Sequence, residues 1–269
     1  MKRYGTMKYL HMAATVLLLA SAVTADAQGP VRPGDTVHQV STLAALLAGD
    51  YDGRIDFGTV MQQGDFGLGT FDALDGEMVA VDGAFYQVRA DGIATPVARD
   101  ELTPFVTVTR FRADDAFHVS GPVSCTDLYL SLQDRFPSDQ ISYAIRISGR
   151  FAYLQTRSVA AQEKPYPPLA VALQQQVVFD FAQVDATLAG FWMPPVVADA
   201  SVAGFHFHAI LRDIMTGGHV LDCAVQEAEV EIDRKEELRV QFTDEARPQP
   251  PPHANGRARQ RESVPVSNW

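Results

Sequence analysis

Three Asp-Gly pairs, at 75–76, 82–83 and 91–92, punctuate the stretch "QQGDFGLGTFDALDGEMVAVDGAFYQVRADGIATPV". Between them apolar and polar residues alternate. That pattern predicts short antiparallel strands joined by tight turns. Much of the chain continues in the same way. "PFVTVTRFRAD" reads as strand, and "QISYAIRISGRFAYLQTRSV" as two strands turning at Ser148-Gly149. "DATLAGFWMP", "AGFHFHAILRD", the long "GGHVLDCAVQEAEVEID" and "LRVQF" are further strands. Helices are few. Ser41 or Thr42 caps a short one over "STLAALLAGD" that Gly49 ends. "CTDLYLSLQDRFPSD" gives about three turns ending near Pro137. "KPYPPLAVALQQQVVFDF" opens on prolines suited to a helix N-terminus. The sum is an α+β pattern with mixed and antiparallel sheets and a few helices.

The two ends differ from this body. Lys2, Arg3 and Lys8 precede the apolar run "MAATVLLLASAV" and the small residues of "ADA" at 25–27, the layout of a signal peptide. The run is short of the about 20 residues of a membrane span. Residues 1–27 therefore read as an export signal, and 28–40 as a loose arm. Residues 41–245 form the folded part, with two β-rich halves of about 41–148 and 149–245. Residues 246–269 are a proline-rich tail with little apolar content. Forty-six per cent hydrophobic content supports a sizeable core. The formal charge of −11 becomes −13 once Lys2, Arg3, Lys8 and Asp26 leave with the signal. A chain this acidic, without a Lys/Arg block, is a poor phosphate-backbone binder, so nucleic acid is set aside. Export allows Cys125 and Cys223 to pair, but two isolated cysteines are more often small buried hydrophobes, and no disulfide is expected.

The candidate chemistry lies in "GFHFHAILRDIMTGGHV", Gly204–Val220, which holds three of the seven histidines. Side chains alternate along a strand, so His206 and His208 share a face while Phe205, Phe207 and Ala209 make a core face. Arg212 to Gly218 supplies a turn, with glycines able to take positive φ. A hairpin centred between Asp213 and Ile214 sets His219 opposite His208, with Cβ atoms about 5 Å apart. Three imidazole nitrogens suit Zn²⁺ with a position left open. The competing reading is an exposed polar strand face. Glu77, just past a turn, offers a fourth ligand or a proton donor, or is a solvated turn residue. Arg157 offers a bidentate clamp for a carboxylate, or a surface ion pair. Thr70 in "GLGTF" brings a hydroxyl near a glycine-permitted backbone. "GDFGLGT" is GxxGxG without a βαβ setting, and no GxSxG elbow exists, so a phosphate loop and a serine triad are rejected.

Read together, "GDFGLGTFDALDGEMVAVDGAFYQVRADG" (64–92), "YAIRISGRFAYLQTRSV" (143–159) and "GFHFHAILRDIMTGGHVLD" (204–222) closely resemble the α-acetolactate decarboxylases. The likeness runs roughly from Thr42 to Val240. It implies a zinc enzyme converting 2-acetolactate to acetoin and CO₂ on the route to 2,3-butanediol. By resemblance His206, His208 and His219 hold the zinc. Arg157, Glu77 and a C-terminal glutamate, best matched by Glu262 in "RARQRES", form the proton-handling and orienting set. Thr70 and Arg157 lie against the substrate. The resemblance also implies a two-part α/β protein that is commonly dimeric. Expected partners are the small-molecule substrate and a second copy of the chain, with no nucleic acid and no membrane after signal cleavage. The residue pattern by itself leaves open an exported non-catalytic zinc-binding module, a zinc hydrolase and, by analogy of fold alone, a cupin-like barrel.

Overall fold

The computed structural model describes residues 34–243. The signal segment, residues 28–33 of the arm and the tail with Glu262 lie outside them; the rest of the arm, expected to be loose, carries a strand over Thr36–Val40 that pairs on both sides. The first half supplies β1 (Thr36–Val40), α1 (Leu43–Leu47), β2 (Ile55–Asp56), α2 (Phe57–Gln63), β3 (Phe66–Thr70), β4 (Glu77–Val81), β5 (Ala84–Val88), β6 (Ala94–Pro96), β7 (Leu102–Thr103) and β8 (Val106–Thr109). The second supplies β9 (Asp115–Ser124), α3 (Cys125–Gln133), β10 (Ser142–Ser158), α4 (Leu169–Ala172), β11 (Val177–Met193), β12 (Gly204–Leu211), β13 (Thr216–Lys235) and β14 (Glu237–Gln241). The fold is mostly sheet with a few short helices, consistent with α+β. No helix among the described residues is long and apolar enough to cross a membrane.

A seven-stranded sheet has the order β14-β1-β8-β3-β4-β5-β6. It is antiparallel except where β14 returns from the chain's end to pair parallel with β1. The five-stranded sheet runs β10-β11-β12-β13-β9, and a further β10–β13 pairing closes four of its strands into a ring. A buried ion pair fastens the end of β13. Lys235 Nζ meets Asp233 Oδ2 at 2.6 Å and donates to the carbonyls of Gly34 and Arg110 at 2.5 and 3.0 Å.

Strand periodicity sorts the core into layers. In β4, Met78 and Ala80 pack under α2 with Phe57 and Val60. Val79 and Val81 face the other sheet, against Ala189, Phe191 and Ile210. In β12, Phe205, Phe207, Ala209 and Leu211 join the core beneath α3, as expected, while Ile210 faces the first sheet. Glu77 shares parity with Val79 and Val81, and His206 and His208 share it with Ile210. All three therefore belong to the space between the sheets.

Several expectations need correction. Residues 142–158 form one strand, with no turn at Ser148-Gly149. Gly149 pairs with Ala186 on one side and Ala228 on the other. A Cβ there would sit 2.1 Å from the Glu227 carbonyl oxygen, so this glycine permits close approach of strands. The 148/149 division into halves consequently falls inside a strand, and the changeover between sheets lies between Thr109 and Asp115. The helix expected from Pro165 onward shrinks to α4 plus a 3₁₀ turn at Leu173–Gln175. From Val177 the β-branched and aromatic residues of "VVFDF" extend β11 along β10. No element was expected over α2, where the Asp56 side chain accepts from the Thr59 amide at 2.9 Å as N-cap. Cys125 and Cys223 are joined in a disulfide, against expectation. The first residue of α3 and a residue of β13 lie with their Cα atoms 5.0 Å apart, within bonding reach. Sequence separation of 98 residues hides that proximity.

Candidate metal centre and its cavity

β12 and β13 form the expected hairpin, and His208 pairs with His219 in register. The loop itself is Arg212 to Met215, closed by the Leu211–Thr216 pair, with Met215 at φ 48°. Gly217 and Gly218 are not in the turn. They lie within β13, where a Cβ on Gly217 would stand 2.1 Å from the Ala209 carbonyl oxygen and one on Gly218 2.5 Å from that of Arg157. The two glycines let β13 run tightly between β12 and β10, which places His219 beside both His208 and Arg157. Thr156 Oγ1 donates to the Gly217 carbonyl at 2.7 Å and holds that approach.

The three imidazoles converge. His206 Nε2 is 3.2 Å from His219 Nδ1, which is 3.3 Å from His208 Nε2. His208 Nδ1 lies 2.7 Å from the Met78 carbonyl oxygen, so that nitrogen carries the proton and Nε2 presents its lone pair. His208 and His219 are buried and His206 is half-buried. Burial first, then the His208 and Arg157 charges, hold His206 well below the usual imidazole range. Burial also lowers His208 to about 3 against the opposing Met78 hydrogen bond. Both rings are thus neutral at physiological pH. Three neutral imidazoles with a nitrogen each turned to one point can offer their lone pairs to a single cation. Among the described residues this is the one His/Cys/Asp/Glu group arranged to hold a metal.

Glu77 and Arg157 adjoin the centre as a buried ion pair, Arg157 Nη1 to Glu77 Oε1. Glu77 Oε2 lies 3.4 Å from His208 Nε2. Burial pushes the Glu77 carboxyl upward and Arg157 opposes the shift. The solvated-turn and surface-pair readings of these two residues therefore fail. Thr70 pairs with Glu77 across β3 and β4. Its hydroxyl donates to the Gly76 carbonyl at 2.7 Å, leaving it only acceptor capacity toward a ligand.

All six residues line one cavity of about 350 Å³. Its remaining wall is apolar, with Leu43, Leu46 and Leu47 from α1, Leu169 and Leu173 from α4 and its 3₁₀ turn, and Leu74, Phe105 and Val202. Sequence reasoning found the α1 helix but gave its leucines no part in the site. The Met78 carbonyl and Thr156 were also missed, because neither carries a local signature. Glu262 lies outside the described residues.

A family model for alpha-acetolactate decarboxylase matches residues 37–248. The alpha-acetolactate decarboxylase of Methanosarcina mazei is 44% identical over 199 residues, spanning 74% of this chain and 69% of the relative. That of Bacillus licheniformis is 40% identical over 201 residues, spanning 75% and 79%. The crystal structure of the Bacillus subtilis enzyme superposes with a TM-score of 0.77 at 38% identity, covering 78% of this chain and 90% of that one.

Proposed function

Because the chain belongs to the alpha-acetolactate decarboxylase family, a family of carboxy-lyases, we propose that it converts 2-acetolactate to acetoin and CO₂ on the route to 2,3-butanediol. The observation that carries this reading is the convergence of His206, His208 and His219 on the cavity that also receives the Glu77–Arg157 pair. His206 and His208 through Nε2, and His219 through Nδ1, would hold a divalent cation, and three imidazoles match zinc. Bound there, zinc supplies Lewis-acid stabilisation of the negative charge that develops on the ketone oxygen.

The protein's own groups do the rest. A guanidinium has five N–H donors and Glu77 engages one nitrogen, so the remaining fork holds the substrate carboxylate. Thr70 accepts from the tertiary hydroxyl. The leucine wall excludes water, which strengthens each of these contacts. As the bond from C2 to the carboxylate breaks, its electron pair moves toward the ketone oxygen and neutral CO₂ departs. One proton must then reach C2. By the resemblance Glu77 handles that proton, and its Oε2, the oxygen that Arg157 Nη1 does not engage, faces the histidine cluster and delivers it to one face. Glu262 stays in the proton-handling set on the resemblance alone. Export, supported by the signal-like residues 1–27 and by the disulfide, places the reaction in an oxidising compartment. A homodimer is retained on the same resemblance.

The test is metal dependence. Protein dialysed against a chelator should form no acetoin from racemic 2-acetolactate, and one equivalent of zinc per chain should restore turnover. Undiminished turnover in the metal-free protein would exclude this reading.

A further inference from the structure

The residues on either side of Arg157 at the end of β10 are a threonine and a serine, and both are fully buried. Their hydroxyls do different things. Thr156 Oγ1 donates within the second sheet, to the Gly217 carbonyl of β13. Ser158 Oγ leaves that sheet and donates to the Val88 carbonyl of β5, in the first sheet, at 2.7 Å. Val88 is the residue that pairs with Glu77. Its carbonyl oxygen lies so close to Gly76 that a Cβ there would stand 2.4 Å away. The turn before Glu77 is held by two more bonds to its main chain, from Gln87 Nε2 to the Asp75 carbonyl and from Thr70 Oγ1 to the Gly76 carbonyl, each 2.7 Å.

Ser158 therefore ties the residue next to Arg157 to the frame that carries Glu77. It does not line the cavity, so it touches no substrate and acts only through its neighbour. Arginine has a long, many-jointed side chain, and a bidentate contact tolerates little error in direction. Arg157 must also serve two carboxylates, that of Glu77 and that of the substrate, from one planar fork. Resting on the decarboxylase reading above, we propose that Ser158 is a positioning residue for the reaction, pinning the end of β10 to β5 so that the Arg157 fork meets the substrate carboxylate. That carboxylate departs as neutral CO₂, so the grip on it belongs to the bound substrate and weakens as the bond breaks. Loss of aim then raises KM and leaves kcat nearly unchanged.

The experiment measures kcat and KM for 2-acetolactate, and the zinc dissociation constant by chelator competition, in wild type, Ser158→Ala and Thr109→Val. Thr109 is the control. It is a buried residue of the first sheet whose Oγ1 donates to the Thr36 carbonyl at 2.8 Å, outside the cavity lining. One buried hydrogen bond corresponds to about fivefold in an equilibrium. KM should therefore rise about fivefold in Ser158→Ala, with kcat and the zinc constant within about twofold of wild type. Thr109→Val should leave all three within about twofold. An unchanged KM in Ser158→Ala overturns the proposal. So does a rise in KM matched by weaker zinc binding or by the Thr109 variant, since either would mark a general loosening of the fold. Wild type that binds zinc and forms no acetoin would overturn the decarboxylase reading, and this proposal with it.

Discussion

His208 is the most constrained of the three imidazoles, with one nitrogen fixed by the Met78 carbonyl and the other facing both its neighbours and Glu77. His208→Ala should abolish zinc retention and decarboxylation together, checked by metal analysis and acetoin formation on the same preparation. Arg157→Lys should keep zinc but lower kcat/KM by about 100-fold, because an ammonium cannot hold Glu77 and a carboxylate with one planar fork. Near wild-type turnover there would show that no fork is needed. At this scale the sequence was most informative. Period-2 alternation and hairpin symmetry put His206, His208 and His219 together without any knowledge of the fold. The Met78 carbonyl escaped because it is a main-chain atom from the other sheet. Glu77 and Arg157 carried signals too weak to separate a buried pair from two solvated residues until a resemblance joined them.

At the scale of elements, the tight sandwich of β13 between β12 and β10 positions His219 beside the other two histidines. Gly217→Ala forces a Cβ against a backbone oxygen at 2.1 Å, which no rotamer change relieves. It should cost about 2 kcal/mol or more in a denaturant titration. It should also reduce zinc retention as His219 moves with its strand; wild-type stability and full zinc content would refute the role given to this glycine. Most long strands were readable from alternation, but β1 fell in the expected loose arm and β9 was not expected at all. The role of glycines inside strands was not readable, since a glycine that admits a neighbouring backbone looks in one dimension like a glycine that turns the chain. Gly149, Gly217 and Gly218 were all misread in this way. The truncated α4 has the reverse cause, because the β-branched and aromatic run from Val177 finds its partner only when β10 is beside it.

For the whole molecule, the disulfide closes a span of 98 residues across the second sheet. Loop closure of that length stabilises by about 2–4 kcal/mol in practice. Cys125→Ala/Cys223→Ala should lower the unfolding free energy by that amount while leaving zinc content unchanged, and equal stability would show that the bond constrains nothing. Its partners were invisible in the sequence because α3 and β13 meet only in the assembled sheet. The high sheet content, by contrast, followed from strand density, while the two-part plan came from the resemblance; the apolar cavity is walled by leucines of α1 and α4. The most direct measurement feeds zinc-loaded protein 2-acetolactate labelled with ¹³C in its carboxylate and follows acetoin and CO₂ together. One labelled CO₂ per acetoin, lost in both His208→Ala and Glu77→Gln, is the expected result. Labelled carboxylate that stays in the product, or release that survives both substitutions, would contradict a decarboxylase built on this histidine cluster.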